Sequence, residues 1–249
     1  MNLKLVESDP VRLPIVAIDG PAGAGKSTAA RLLAYQLGFR LIDTGALYRS
    51  LALQALETGV DFDDEDGLAK LCYSLKIQFG KLEKVSGDSE DRIMVPRLPV
   101  FCNGLDVTQD IRRPEVGMAA SKVSRFPKVR DALLALQRAF GEEGGIVMEG
   151  RDIGTVIFPH AELKFYLTAS VESRAKRRFD ELSAAGNATI DYDRVLRETA
   201  QRDSQDMNRE IAPLRQSEDA ILIDSTQKDL IQVVSEMAEK VRNFFKEQK

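Results

Sequence analysis

Apolar positions recur with different periods along the chain, and those periods divide it. Residues 15–18, Ile15-Val16-Ala17-Ile18, form an unbroken apolar run, and 28–37 follow with helical spacing, which predicts a buried strand feeding a helix. Gly38 reads as the end of that helix, Phe39-Arg40-Leu41-Ile42 as a second strand, and 46–56 as a second helix. After a polar connection at 57–65, residues 66–75 have the pattern of a short amphipathic helix. The period then changes. Residues 76–79, 92–95 and 99–102 are short β-like pieces between Gly-, Asp- and Ser-rich turns, with Asn103-Gly104 as a hairpin signal. The stretch 75–112 is therefore expected to be a small antiparallel insert, with 84–91 as its mobile tip.

Helical patterning returns at 114–123, after Pro114, and at 129–140, after Pro127, with Leu133, Leu134 and Leu136 on the buried face. Core strands are predicted at 146–148, 163–167 and 220–223. Helices are predicted at 171–182 and 191–208, around a break at 183–187, and a final helix at 227–246. Residues 1–13 read as a loose tail. Strand and helix alternate through the rest, so the expected class is α/β: a five-stranded parallel sheet flanked by helices and interrupted by the β insert.

The first strand-to-helix turn carries the chemistry. Gly20-Pro21-Ala22-Gly23-Ala24-Gly25-Lys26-Ser27 is G-x-x-x-x-G-K-S between a strand and a helix, the context that a phosphate-binding P-loop requires. Its glycines keep side chains clear, so that backbone N–H groups and the helix N-terminus can face phosphates. Residues 20–28, Thr28 included, are the expected nucleoside-triphosphate site. Lys26 would reach the β- and γ-phosphates, and the Ser27 hydroxyl would bind Mg²⁺.

Composition narrows the picture without redirecting it. With 249 residues, 43% hydrophobic and 30% charged, the chain suits one domain with inserted subdomains. No apolar run reaches membrane-spanning length and no signal peptide is legible, so a cytoplasmic protein without a membrane partner is expected. The 35 basic and 39 acidic residues leave a net charge of −4, which gives no reason to expect a nucleic-acid partner. Cys72 and Cys102 lack metal-site spacing and read as buried thiols. The single histidine, His160, sits in a Phe-Pro-His loop with no nucleophile motif, and no catalytic role is expected of it.

In an open parallel sheet, ligands bind beyond the carboxyl ends of the strands. Two further loops should share that rim with the P-loop: Asp43-Thr44-Gly45-Ala46-Leu47-Tyr48-Arg49 and Glu149-Gly150-Arg151-Asp152. Each brings an arginine suited to gripping a phosphate, so a second, phosphorylated ligand is expected. Glu149 is placed to hold Mg²⁺ through water; the alternative, compatible with it, is that it pairs with a neighbouring arginine. Arg174, Arg177 and Arg178 lie within about one turn of each other, and Arg202 and Arg209 two turns apart on the next helix. Balanced acids and bases in this region favour a solvated helical pair by charge count. Its position between the fourth and fifth strands favours a lid over the phosphates.

With these residues in place, the chain resembles the bacterial cytidylate kinases, a family of nucleoside monophosphate kinases. The carriers are Asp43 to Arg49, Ala120-Ser121-Lys122-Val123 through Phe126-Pro127-Lys128-Val129-Arg130, Glu149-Gly150-Arg151-Asp152-Ile153-Gly154 through Pro159, and Arg202-Asp203-Ser204-Gln205-Asp206-Met207-Asn208-Arg209. The resemblance implies ATP-dependent, Mg²⁺-assisted phosphorylation of CMP and dCMP by a P-loop nucleoside monophosphate kinase fold. It implies a single kinase domain over 14–249, with a core (14–58, 126–170, 210–249), a monophosphate-binding insert (59–125) and a lid (171–209). The tail lies outside it.

The resemblance also assigns residues. Ser121, Arg130 and Asp152 correspond to positions that read the cytosine, and Asp206 to a ribose contact. Arg49, Arg151, Arg202 and Arg209 correspond to arginines around the phosphates, with Lys26, Arg151, Arg202 and Arg209 as the catalytic set. Thr44, Tyr48 and Gly150 complete the CMP site, and Arg174, Arg177 and Arg178 are expected on the ATP side. Thr44 replaces a serine and keeps its hydroxyl; aspartate more often stands where Glu149 does. A monomer is expected. Other small-molecule P-loop kinases, a UMP/CMP kinase among them, are the nearest alternative. A nucleotide-dependent switch is more distant, since no N-K-x-D guanine signature is present.

Overall fold

The computed structural model describes residues 13–84, 93–184, 186 and 190–248. The expected tail at 1–13 but for Leu13, the expected tip at 84–91 but for Lys84, and part of the break at 183–187 lie outside these. Strand β1 (Ile15–Asp19) is central in a five-stranded sheet ordered β2 (Arg40–Asp43), β6 (Ile146–Glu149), β1, β7 (Leu163–Thr168), β8 (Ile221–Asp224). Every pairing in it is parallel. Successive side chains of a strand face opposite ways, and β1 uses both faces for burial. Val16 and Ile18 pack in a cluster with Leu33 of helix α1 (Lys26–Leu37) and Met237 of helix α8 (Leu230–Glu247). Ile15 and Ala17 pack with Ile42, Met148, Ile153 and Ile157.

Between β2 and β6 run α2 (Thr44–Thr58), α3 (Glu65–Ser74), α4 (Pro114–Val123) and α5 (Pro127–Ala139). Both proline-led helices place Pro at a first-turn position, where its missing N–H costs no helical bond. A third cluster joins Leu47 and Leu51 of α2, Leu68 and Cys72 of α3, Val123 of α4 and Leu133 of α5 with Ile77, Val100 and Cys102. The last three belong to a small antiparallel sheet, β3 (Ile77–Phe79), β4 (Val100–Cys102) and β5 (Leu105–Asp106).

Its third strand corrects the sequence expectation. Residues 93–95 are not a strand, and Leu105–Asp106 is. Asn103 and Gly104 both have positive φ, 51° and 84°, as a two-residue type I′ turn requires. That turn pairs Cys102 with Leu105 at once, and β3 takes the other edge of β4. Helix starts also shift. α2 begins at Thr44, because the Asp43 carboxylate accepts the amide of Ala46 and caps the helix two residues earlier than the apolar spacing suggests. α8 begins only at Leu230, where Asp229 and Gln232 form a reciprocal capping box.

Helices α6 (Val171–Ala184) and α7 (Tyr192–Asn208) form the excursion between β7 and β8. Gly20, between β1 and α1, has φ +145°, and a Cβ there would stand 2.0 Å from the Leu167 carbonyl oxygen. The loop after β1 therefore lies directly against β7. No helix among the described residues is long and apolar enough to cross a membrane.

Candidate active site

The register brings Ile18 and Asp43 alongside Glu149, so the loops after β1 and β6 share one rim with the start of α2, which follows β2 directly. At the first of these, Gly25 caps α1 with φ +92°, and among the described residues no side chain caps the first turn. A helix N-terminus left in this state is suited to an anion. The buried Lys26 Nζ donates to the Pro21 carbonyl at 2.7 Å. The Ala22 carbonyl accepts from Arg174 Nη1 at 3.1 Å, and the Ala24 carbonyl from Ser225 Oγ at 3.1 Å. Across a trans peptide, carbonyl and following N–H point opposite ways, so these two bonds aim the amides of Gly23 and Gly25 away from Arg174 and Ser225.

Beside Lys26, the Ser27 hydroxyl donates to Glu149 Oε1. Burial first, and Asp43 second, raise the Glu149 carboxyl above its usual range, against Lys26, Ser27 and Arg151. Burial first, and Arg151 second, lower the Lys26 ammonium to about 7, against Glu149 and Asp19. The Thr44 hydroxyl donates to the Glu149 carbonyl at 2.9 Å, and Gly150 N–H to the Ile18 carbonyl at 2.9 Å, which fixes the start of the β6 loop against β1 and α2.

That loop presents two groups in succession. Arg151 Nε donates to Asp206 Oδ2 at 2.8 Å, which ties it to α7. Arg130 Nη2 donates to Asp152 Oδ2, both side chains being buried, while Arg209 Nη2 stands 3.6 Å from Asp152 Oδ1. The Arg130 guanidinium lies 5.9 Å from the centre of the Tyr48 ring. Burial pushes the Tyr48 hydroxyl up to about 12, so it is a donor and not a phenolate. Arg49 pairs with Asp43 at 2.8 Å.

The structure thus gathers Lys26, Ser27 and Glu149, then Arg151 with Asp206, then Arg130, Asp152, Arg209 and Tyr48. Other expected residues are engaged differently. Ser121 is exposed on α4, and its side chain makes no hydrogen bond to a described residue. Arg202 is exposed, with no hydrogen bond or ion pair among the described residues. Arg177 donates to the Ser225 carbonyl at 2.6 Å and its hydroxyl at 3.1 Å, and Arg178 pairs with Glu181 at 3.1 Å on the exposed side of α6. Arg174 is buried, with two bonds to Asp203.

Asp19 is a site residue that sequence reasoning missed. Its oxygens accept the amides of Ile153 at 2.8 Å and Gly154 at 2.7 Å, which open the turn immediately after Asp152. The available signal was an acid at the end of β1, next to the P-loop. Burial raises its carboxyl to about 6, despite the two amides. A carboxyl raised above its unfolded value of 3.8 penalises the folded state fully above pH 6, and that penalty is relieved as pH falls toward 3.8. Relative to Asp19→Asn, which does not titrate, the wild type is expected to gain about 1 kcal/mol between pH 7 and pH 5. Paired thermal melts should show the wild type rising by about 2–4 °C relative to the variant over that interval. A constant difference would mean that Asp19 is not held in this way.

A phosphate loop on the central strand, facing arginines from the first turns of α2, the loop after β6 and a helical pair, defines an α/β nucleotide-binding protein of the P-loop kinase class. The family model described as cytidylate kinase matches residues 16–243. Cytidylate kinase of Vibrio cholerae serotype O1 is 48% identical over 223 residues, covering 90% of this chain and 93% of that one. Cytidylate kinase of Geobacter sp. (strain M21) is 48% identical over 228 residues, covering 92% of each. The chain belongs to the cytidylate kinase family.

Proposed function

We propose that this protein transfers the γ-phosphoryl group of ATP to CMP and dCMP, yielding CDP and dCDP. The observation that carries the base assignment is the buried Arg130–Asp152 pair beside Tyr48 and Arg209, on the same rim as the P-loop. A carboxylate beside a guanidinium matches the cytosine edge, whose N4 amino group donates and whose N3 accepts. Uracil reverses both groups and would face each with a like partner.

In this reading the P-loop amides and Lys26 hold the donor phosphates, with residues 171–209 as the lid. Arg49, Arg151 and Arg209 grip the acceptor phosphate and residues 59–125 enclose the nucleotide, with Asp206 at the ribose. Ser27 and Glu149, joined by a direct hydrogen bond, supply the hydroxyl and carboxylate oxygens that would hold Mg²⁺, Glu149 through water. Bound there, Mg²⁺ would neutralise charge on the donor phosphates. No general base is required, because a phosphate monoester has its second pKa near ~6 and its attacking oxygen is already ionised. Catalysis is then alignment of two anions plus screening by Lys26, Arg151 and Arg202. The reading includes a monomer acting in the cytoplasm, and the net charge of −4 supports the absence of a polyanionic partner.

Incubation with ATP, Mg²⁺ and each nucleoside monophosphate in turn tests it. CMP and dCMP are expected to give diphosphates fastest. Inorganic phosphate released without any diphosphate would instead indicate a hydrolase, and UMP turned over as well as CMP would overturn the base assignment.

A further inference from the structure

Arg174 sits in the first turn of α6, and its guanidinium is held by three parts of the chain. Nε donates to the Ala169 carbonyl at 2.9 Å, at the end of β7. Nη1 donates to the Ala22 carbonyl of the P-loop at 3.1 Å and to Asp203 Oδ1 at 3.0 Å, and Nη2 donates to Asp203 Oδ2 at 2.6 Å. Two parallel bonds between a guanidinium and a carboxylate fix orientation as well as distance. Both partners are buried, Arg174 at 5% and Asp203 at 9% exposure. The loop is pressed onto this arginine: at Gly23, φ +75°, a Cβ would stand 3.1 Å from Arg174 Cβ.

From this geometry we propose that Arg174 and Asp203 are positioning residues that lock helix α7 to the phosphate loop, and that Arg174 is not a phosphate ligand. The proposal rests on the kinase reading above and reassigns one residue within it. Four of the five guanidinium N–H groups are already engaged by protein oxygens, and a carboxylate faces the fork where a phosphate would have to enter. Asp203 is flanked by Arg202 and lies one turn from Asp206, which carries Arg151. Fixing Asp203 therefore fixes where Arg202, Asp206 and Arg209 stand relative to Lys26. The same fork holds the Ala22 carbonyl, which turns the Gly23 amide away toward the opposite side of the loop.

The test compares Arg174→Lys, which keeps the charge and breaks the fork, with Asp203→Asn, which is isosteric and removes the anion. A brace predicts that both lower kcat, by up to ~10²-fold for a displacement of about 1 Å, and that ATP affinity by calorimetry moves in the same direction in both. The double variant should lose little more than either single one, and Asp203→Glu should recover part of the rate. Amide exchange around residue 203, measured without substrates, should quicken in both single variants. If Arg174→Lys weakens ATP binding while Asp203→Asn strengthens it, and exchange is unchanged, Arg174 is a phosphate ligand and the brace is wrong. Should Arg174→Lys fail to fold, Asp203→Asn alone decides by the same readouts. Wild-type turnover of ATP and CMP in parallel separates the two levels, because its absence would refute the kinase reading while the exchange data still judge the brace.

Discussion

Lys26→Ala is expected to lower turnover at least ~10²-fold while the circular dichroism spectrum and melting cooperativity stay intact. The ammonium stands against the loop that would hold the donor phosphates, and its hydrogen bond to the Pro21 carbonyl is exchangeable for a phosphate oxygen. Its surroundings also give the prediction a second readout. Burial, Arg151 and Arg202 lower its pKa to about 7, against Glu149 and Asp19. Above pH 7 the free protein therefore carries an increasingly neutral amine. A bound triphosphate restores the charge, so nucleotide binding at pH 8 should draw in a proton. Calorimetry in buffers of different ionisation enthalpy measures that uptake. The part present in wild type and missing in Lys26→Ala isolates the lysine from Glu149 and Asp19. Near-normal turnover, or equal proton uptake, would remove Lys26 from the phosphate site.

Asp152→Ala should collapse the preference for CMP over UMP. Each mispaired base edge costs about 1–3 kcal/mol, so the ratio of kcat/KM values should fall by about one to two powers of ten. An unchanged ratio would sink the base assignment. Stability moves as well: removing the carboxylate leaves Arg130 buried, with Arg209 close by and no anion between them. Breaking a buried pair in this way costs about 3–5 kcal/mol, so the kinetic comparison belongs well below the variant's melting range. Asp152→Asn keeps the volume and separates the loss of charge from the loss of packing.

What was legible in the sequence followed chain locality. The P-loop, the parallel strands and both proline-led helices are each specified within about ten residues, by glycine placement, apolar runs and helix-start chemistry. What was missed depends on partners far along the chain. Asp19 is 134 residues from the Ile153 amide that it accepts, and Arg174 is 29 from Asp203. No local pattern encodes such pairs. The arginines of α6 show the cost: Arg174, Arg177 and Arg178 share helical spacing yet meet a buried carboxylate, a β8 loop and solvent. α6 starts at the sheet rim and runs outward, so burial is confined to Arg174 and Ala175 near its start. The third insert strand was misplaced for a related reason, since Asn103-Gly104 was read as a signal without its immediate consequence for pairing.

The two cysteines give the insert a property that its sheet and helices do not advertise. Cys72 on α3 and Cys102 on β4 are both free and both lie in the cluster that joins α2, α3, α4 and α5. Burial pushes the Cys72 thiol up to about 12 and raises that of Cys102 as well. Since the thiolate is the reactive form, neither sulfur meets an alkylating reagent or an oxidant while that cluster is closed. Thiol modification in this protein is accordingly a clock for opening of the insert, built from native residues and independent of turnover.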